Sequence, residues 1–199
     1  MTSLFYTFLI ACYVFLVLIV SAVLLKKGIV HEEGARKFVH IFVSFSIFAI
    51  IFLIDNPILR LLGPIAFIFI NAVLGIRTHS RVMGLVCYPV SMLFLILLMN
   101  EGFLAPSSVI SGILAMGLGD GCAGLVGMRW GRIKIGSKTL EGTLSMLLVT
   151  FLVFILFSNS SWYISLLSAC IVSIVEVVTP HGLDNLSVPI VAAILPEVL

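Results

Sequence analysis

The sequence predicts an all-α, polytopic integral membrane protein with about seven transmembrane helices, a short C-terminal half-span and its N-terminus outside. Three observations predict it. AVILMFWYC residues make up 61% of the 199 residues before the 16 glycines are added, where a soluble domain with glycine included holds about 45–50%. Charged residues are 10%, too few to cover a water-facing surface, which needs roughly 25%. The charges that exist are spaced so that uncharged runs reach the length of about 20 residues that a helix needs to cross a bilayer.

The first uncharged run, 2–25, meets that length. No basic residue precedes it and its apolar part is too long for a cleavable signal peptide, so it reads as a retained span. Further spans are expected at 38–54, 61–76, 82–99 and 107–127. From 142 to 175 there is no charge, too long a run for one ordinary crossing. The polar notch Ser158-Asn159-Ser160-Ser161 divides it into spans at 142–157 and 162–178. The last apolar segment, 185–196, is short and fits a half-span or an interfacial helix. No stretch suits a second domain, so 1–199 reads as a single membrane-embedded unit.

Basic residues favour cytoplasmic loops. Lys26, Lys27, Arg36 and Lys37 follow the first span, Arg77 and Arg81 the third, and Arg129, Arg132, Lys134 and Lys138 the fifth; Arg60 alone lies opposite. The odd-to-even loops are therefore expected in the cytoplasm, with Trp130 and Trp162 at opposite interfaces. The acidic residues sort the same way. Glu32, Glu33, Asp120, Glu141, Glu176 and Asp184 fall on or near the cytoplasmic side, Asp55 and Glu101 on the other, and Glu197 has no assigned place. A transporter or channel more often holds its polar groups near the midplane. One-sided charge favours an enzyme that meets a soluble anion in the cytoplasm and a lipid in the bilayer. A formal net charge of +2 is too small for nucleic-acid binding. Cys12, Cys87, Cys122 and Cys170 stand singly in apolar stretches, with neither disulfide nor zinc spacing.

Asp120 is the sharpest single residue. It sits seven positions before Gly127, about 10 Å inside the span if the helix is regular, where a carboxylate costs at least about 2.5–3.5 kcal/mol. It reads as a metal- or phosphate-handling group, with a helix-locking ion pair as the plain alternative. Gly117, Gly119, Gly121, Gly124, Gly127 and Gly131 surround it. They suit close helix packing, bare backbone beside a phosphate, or both. The loop 131–142, GRIKIGSKTLEG, brings Arg132, Lys134 and Lys138 together with Ser137 and Thr139 and ends at Glu141. Basic groups among exposed backbone N–H groups suit a polyphosphate, although the P-loop order is absent. Arg36 and His40 share a helix face, and the trio Arg36, Lys37 and His40 could hold phosphate oxygens or move a proton. Arg77, His79 and Arg81 form a patch suited to anionic headgroups; His31 and His181 carry no specific argument. Glu176 and Asp184-Asn185 bracket the turn Thr179-Pro180-His181-Gly182 and add acidic oxygens on the same side, the ligand type that Mg²⁺ accepts.

Four short blocks occur in order between Arg36 and Pro189: Arg36-Lys37-x-x-His40; Gly119-Asp120-x-x-Ala123 with Gly127 and Gly131; Lys138-Thr139-x-Glu141-Gly142; and Glu176 with Asp184-Asn185 and Pro189. On these blocks the sequence resembles the CTP-dependent lipid-alcohol kinases (dolichol kinase, phytol kinase and the yeast-type diacylglycerol kinase), relatives of phosphatidate cytidylyltransferase. The resemblance implies transfer of a terminal phosphate from CTP to a lipid hydroxyl on the cytoplasmic side, with Arg36, Lys37, Asp120 and Gly127 at positions the family needs. Two departures matter. Gly127-Met128 stands where the family usually has Gly-Arg, with Arg129 and Arg132 nearby as substitutes. Gly136-Ser137-Lys138-Thr139 lacks the proline of the cytidylyltransferases, which draws the chain toward the kinases.

The expected catalytic set is Asp120, Arg36, Lys37, His40 and Glu141. The expected phosphate-binding set is Lys138, Thr139, Arg129, Arg132, Lys134, Gly119, Gly127, Gly131 and Asn185. Mg²⁺ is expected on Asp120, Glu176 and Asp184. Phosphatidate cytidylyltransferase activity is the nearer alternative, and a small transporter without nucleotide turnover the more distant one.

Overall fold

A computed structural model describes residues 2–78, 82–180 and 182–199. The described chain is all helical apart from one small hairpin. Its helices are α1 (Thr2–Lys26), α2 (Glu32–Ser44), α3 (Ser46–Leu53), α4 (Pro57–Thr78), α5 (Val82–Asn100), α6 (Pro106–Leu114), α7 (Gly121–Trp130), α8 (Leu140–Phe157), α9 (Trp162–Val178) and α10 (Asp184–Val198). A π-helical segment, Ala115–Asp120, joins α6 to α7. The hairpin pairs β1 (Lys134–Ile135) with β2 (Lys138–Thr139).

Among the described residues, five helices are long and apolar enough to cross a membrane: Thr2–Lys26, Glu32–Leu53, Met83–Asn100, Pro106–Trp130 and Leu140–Phe157. The third and seventh expected spans coincide with the shorter apolar helices Pro57–Val73 and Trp162–Val178. Large apolar side chains such as Phe8, Phe52, Phe69 and Leu156 are more than half exposed. That is stable only against hydrocarbon, where helices satisfy every backbone group internally.

The rod Pro106–Trp130 is the most buried of the five and forms the centre. Its α6 part packs on α10 and α8, its π-segment on α2 and α8, and its α7 part on α2 and α8. Small residues make these approaches close. A Cβ at Gly117 would overlap Ser44, and one at Gly124 would lie 2.5 Å from Lys37 Cε. Glycine on this face lets α2 lie against the rod with Lys37 pointing across it. The π-turn ends at Asp120, and the stretch from there to Gly127 is regular α-helix, as the depth expected for the aspartate requires. Six residues, AMGLGD, widen the helix at Gly117 and Gly119 and end on the aspartate.

The C-terminal segment gains a definite setting. The segment 185–196, expected as a half-span or an interfacial helix, forms most of α10, which packs against α5, α6 and α9 and buries Val188, Ala192 and Ala193. Its N-terminal Asn185 donates to Gly84 O at 2.5 Å. Near its other end Glu197 accepts from Ala105 N at 2.9 Å and from Ser108 Oγ. Protein rather than lipid surrounds α10, so apolar length is no measure of its depth. Glu197, without a place in the sequence, thereby closes the first turn of α6.

These contacts predict contrasting stabilities. Gly117→Val should destabilise the protein by about 1–3 kcal/mol through overpacking against Ser44 and the backbone of His40. Gly63→Ala, where an added methyl meets nothing within 4 Å, should stay within about 0.5 kcal/mol of the parent. Thermal unfolding in detergent distinguishes them; equal behaviour would contradict the packing described.

Candidate functional site

Six of the helices bring charged or small residues to one end of the bundle, around a cavity of about 1460 Å³. Its wall includes Glu33, Arg36 and Lys37 from α2, Asp120, Gly124 and Gly127 from the central rod, Ser137, Lys138 and Thr139 from the hairpin, and Glu176 and Asp184 from α9 and α10. Leu25, Val30, Met83 and Leu85 supply apolar wall between α1 and α5.

Two lysines organise the charge. Lys37 Nζ donates to Asp120 Oδ2 at 2.5 Å, with Lys37 5% and Asp120 3% exposed. Glu33 lies 3.9 Å from the same ammonium and also takes two hydrogen bonds from Arg36, at 2.6 and 3.2 Å. Lys138 Nζ bonds to Glu176 and, at 2.9 Å, to Asp184 Oδ2. The other oxygen of Asp184 accepts from the backbone N–H groups of Gly182 and Asn185, both at 3.0 Å, which fixes the direction of the carboxylate. Asp184 opens α10, where the helix dipole favours negative charge, whereas Glu176 lies in the last turn of α9, where it does not. Glu176 therefore needs a cation more than Asp184 does. Burial works against the Lys138 ammonium, but Glu176 and Asp184 together outweigh it and hold it above the ordinary lysine range.

Local structure explains why the lysine of the hairpin arrives here. The turn between β1 and β2 begins at Gly136 with φ +59°, a left-handed value that glycine adopts without strain. Thr139 caps α8, its Oγ1 accepting from Gly142 N at 3.2 Å, and Leu140 N donates to Ile133 O at 2.8 Å. The backbone on both sides of Lys138 is thus tied down.

Asp120, Glu176 and Asp184 each offer a carboxylate oxygen within 4.8 Å of the others. Glu176 is 2% exposed, and its Oε2 is buried with no hydrogen-bond partner. Three convergent carboxylates, one of them with a buried oxygen that lacks a partner, fit a divalent cation such as Mg²⁺.

The remaining expected residues fall elsewhere. Glu141 turns away from the cavity; its carboxylate accepts from Ile133 N at 3.4 Å and steadies the hairpin. His40 is buried against Tyr88, ring centroids 4.9 Å apart, and does not line the cavity. Arg129, Arg132 and Lys134 are exposed and outside the wall. Gly119 and Gly131 face packing partners, Met146 and Thr139 respectively, and Asn185 ties α10 to α5. His79, Arg81 and His181 lie outside the described residues. Glu33 and Thr143 line the cavity but were not singled out by the sequence. Glu33 had a readable signal, its i,i+3 and i,i+4 spacing to Arg36 and Lys37; Thr143 had none.

No family model matches the chain, and no solved structure matches it. Among curated proteins it is similar to a phytol kinase of Synechocystis sp., 36% identical over 95 residues, which is 42% of this chain. The chain spans only 41% of that protein's length in the match.

The buried pair makes a quantitative prediction. Lys37→Met leaves Asp120 in the core without its cation and should cost on the order of 3–5 kcal/mol. Lys37→Met combined with Asp120→Asn should recover part of that loss. Simple addition of the two single effects in thermal unfolding would contradict a direct Lys37–Asp120 coupling.

Proposed function

We propose that this chain is a lipid-alcohol kinase that moves the terminal phosphate of CTP, or of another nucleoside triphosphate, to the hydroxyl of a polyprenol, a phytol-like alcohol or diacylglycerol. The observation that carries the reading is the cavity in which three carboxylates and two lysines converge at one end of an apolar helix bundle. The similarity to a phytol kinase over 95 residues supports it. The distribution of Lys and Arg supports a cytoplasmic placement of that end, with the N-terminus outside.

In this reading Asp120, Glu176 and Asp184 hold Mg²⁺. Bound there, the ion supplies charge neutralisation and alignment for the nucleotide phosphates. Arg36, Lys37 and Lys138 supply the cationic field that stabilises charge on the phosphoryl group as it transfers. Gly124 and Gly127 lack side chains where Lys37 and Thr139 lie, which lets those two residues of the cavity wall sit close against the rod. The apolar wall of Leu25, Val30, Met83 and Leu85 suits the first carbons of the acceptor, whose chain stays in hydrocarbon. The acceptor oxygen forms a bond to the terminal phosphorus, the bond from that phosphorus to the bridging oxygen breaks, the hydroxyl proton is released, and the nucleoside diphosphate departs. His40 is not assigned a part in the proton transfer, because Tyr88 covers its ring away from the cavity.

The test uses purified protein in detergent with CTP labelled separately at the α and γ phosphates, and prenols, diacylglycerol and phosphatidate as acceptors. Movement of the γ label to lipid, dependent on Mg²⁺, is the expected result. Movement of the α label with pyrophosphate release would make the chain a phosphatidate cytidylyltransferase, and movement of neither label would favour a transporter. Asp120→Asn keeps an acceptor for Lys37, so it should remain folded while γ transfer falls by on the order of 10²–10³-fold. Unchanged transfer would remove Asp120 from the mechanism.

A further inference from the structure

The charges around the acid cluster are arranged for exchange. Asp120, Glu176 and Asp184 carry three negative charges within a span that one cation could bridge, and the lysines Lys37 and Lys138 supply two positive ones. One negative charge is left over, and Glu176 Oε2 is buried with no partner. A buried carboxylate oxygen in that condition carries an unrelieved desolvation cost. Lys138 meanwhile bridges Glu176 and Asp184 with a single ammonium, the position that a cation shared by these two carboxylates would take.

We propose that Lys138 is an exchangeable counter-ion: a divalent cation takes its place among Asp120, Glu176 and Asp184, and the released ammonium turns to the phosphates of the nucleotide. The inference rests on the metal-dependent reading given under the proposed function. The exchange balances the charge. With a doubly charged ion beside Lys37, the three carboxylates are neutralised, Glu176 Oε2 can gain a ligand, and one ammonium is freed for an anion. The movement is small, because the backbone of Lys138 is held by the hairpin and by the start of α8, while its side chain is a flexible four-carbon stem on the cavity wall. Lys37 cannot serve in the same way. Gly124 and α2 enclose its stem, and it bonds a carboxylate on the central rod itself.

The arrangement couples two ligands. A cation binding alone must displace Lys138 from two carboxylates and leave the ammonium with none. A cation binding with a polyphosphate gives that ammonium a new partner. The two therefore bind cooperatively, by a factor on the order of 5–150.

Binding of Mn²⁺ to the full chain in detergent, followed by electron paramagnetic resonance of the free ion, tests this without turnover. In the wild type, a non-hydrolysable triphosphate analogue should tighten Mn²⁺ binding by on the order of tenfold, after correction for ion held by the analogue itself. Lys138→Met should bind Mn²⁺ alone on the order of tenfold tighter than the wild type and lose the gain from the analogue. Glu176→Gln should weaken binding in both backgrounds. Wild-type Mn²⁺ binding that ignores the analogue overturns the proposal, whether or not Lys138→Met folds. So does a folded Lys138→Met protein that binds Mn²⁺ no more tightly than its parent. Coupled Mn²⁺ binding without label transfer to lipid would leave the exchange standing and remove the kinase reading, and label transfer without coupling would do the reverse.

Discussion

The ion pair between Lys37 and Asp120 is the constraint on which the rest of the charged end depends. Two charges nearly sealed from solvent cost several kcal/mol each in desolvation, and only close geometry offsets that. Close geometry requires α2 to lie against the central rod, and the small residues Gly117, Gly121 and Gly124 allow it. The glycines, the π-turn and the pair are thus one device. The glycines bring the helices together, the π-segment ends on the aspartate, and the pair penalises any sliding of α2 along the rod. Separating the partners of a buried pair is strongly destabilising, and here the two partners belong to the wall of the cavity.

Around that wall, the charged groups are oriented by backbone groups or by a neighbouring charge. Asp184 is aimed by the backbone N–H groups of Gly182 and Asn185, and Asn185 in turn is fixed to α5 through Gly84. Glu33 turns Arg36 along α2. The hairpin delivers Lys138 from a backbone tied to α8. Far from the cavity, Arg60 bonds to Ile54 O and to Asn100, and Glu197 holds the start of α6. The opposite end is therefore braced by polar groups spent on helix termini, while the charged end keeps carboxylates converging on open volume. That difference between the two ends is the physical content of the functional proposal.

The sequence made the helices legible because a bilayer imposes a length, and uncharged runs of that length are visible without alignment. It also drew attention to Asp120, Glu176 and Asp184, since acidic groups stand out in so apolar a chain. What it could not show was pairing over distance. Lys37 and Asp120 are 83 positions apart, and nothing local says that the aspartate, read chiefly as a ligand, also locks two helices. Nor does spacing announce the π-turn, which ends at Asp120, whereas the stretch from there to Gly127 is regular α-helix. Glu141 looked like part of the cluster because it is acidic and near Lys138, yet its carboxylate accepts from the N–H of Ile133 at the base of the same hairpin. For α10, a count of apolar residues carries no information on the helices that enclose it.

The central claim is that the cavity between Lys37 and Lys138 receives the phosphates of a nucleoside triphosphate. A triphosphate analogue carrying a photoreactive group on its terminal phosphate, cross-linked to the protein in detergent with Mg²⁺ and mapped by mass spectrometry, tests that claim most directly. The account predicts attachment within the cavity wall, at the hairpin around Lys138 or on the stretch from Gly124 to Met128, and its suppression by excess unlabelled triphosphate. Suppressible attachment confined to the opposite end of the bundle, or none at all in folded protein, would contradict it.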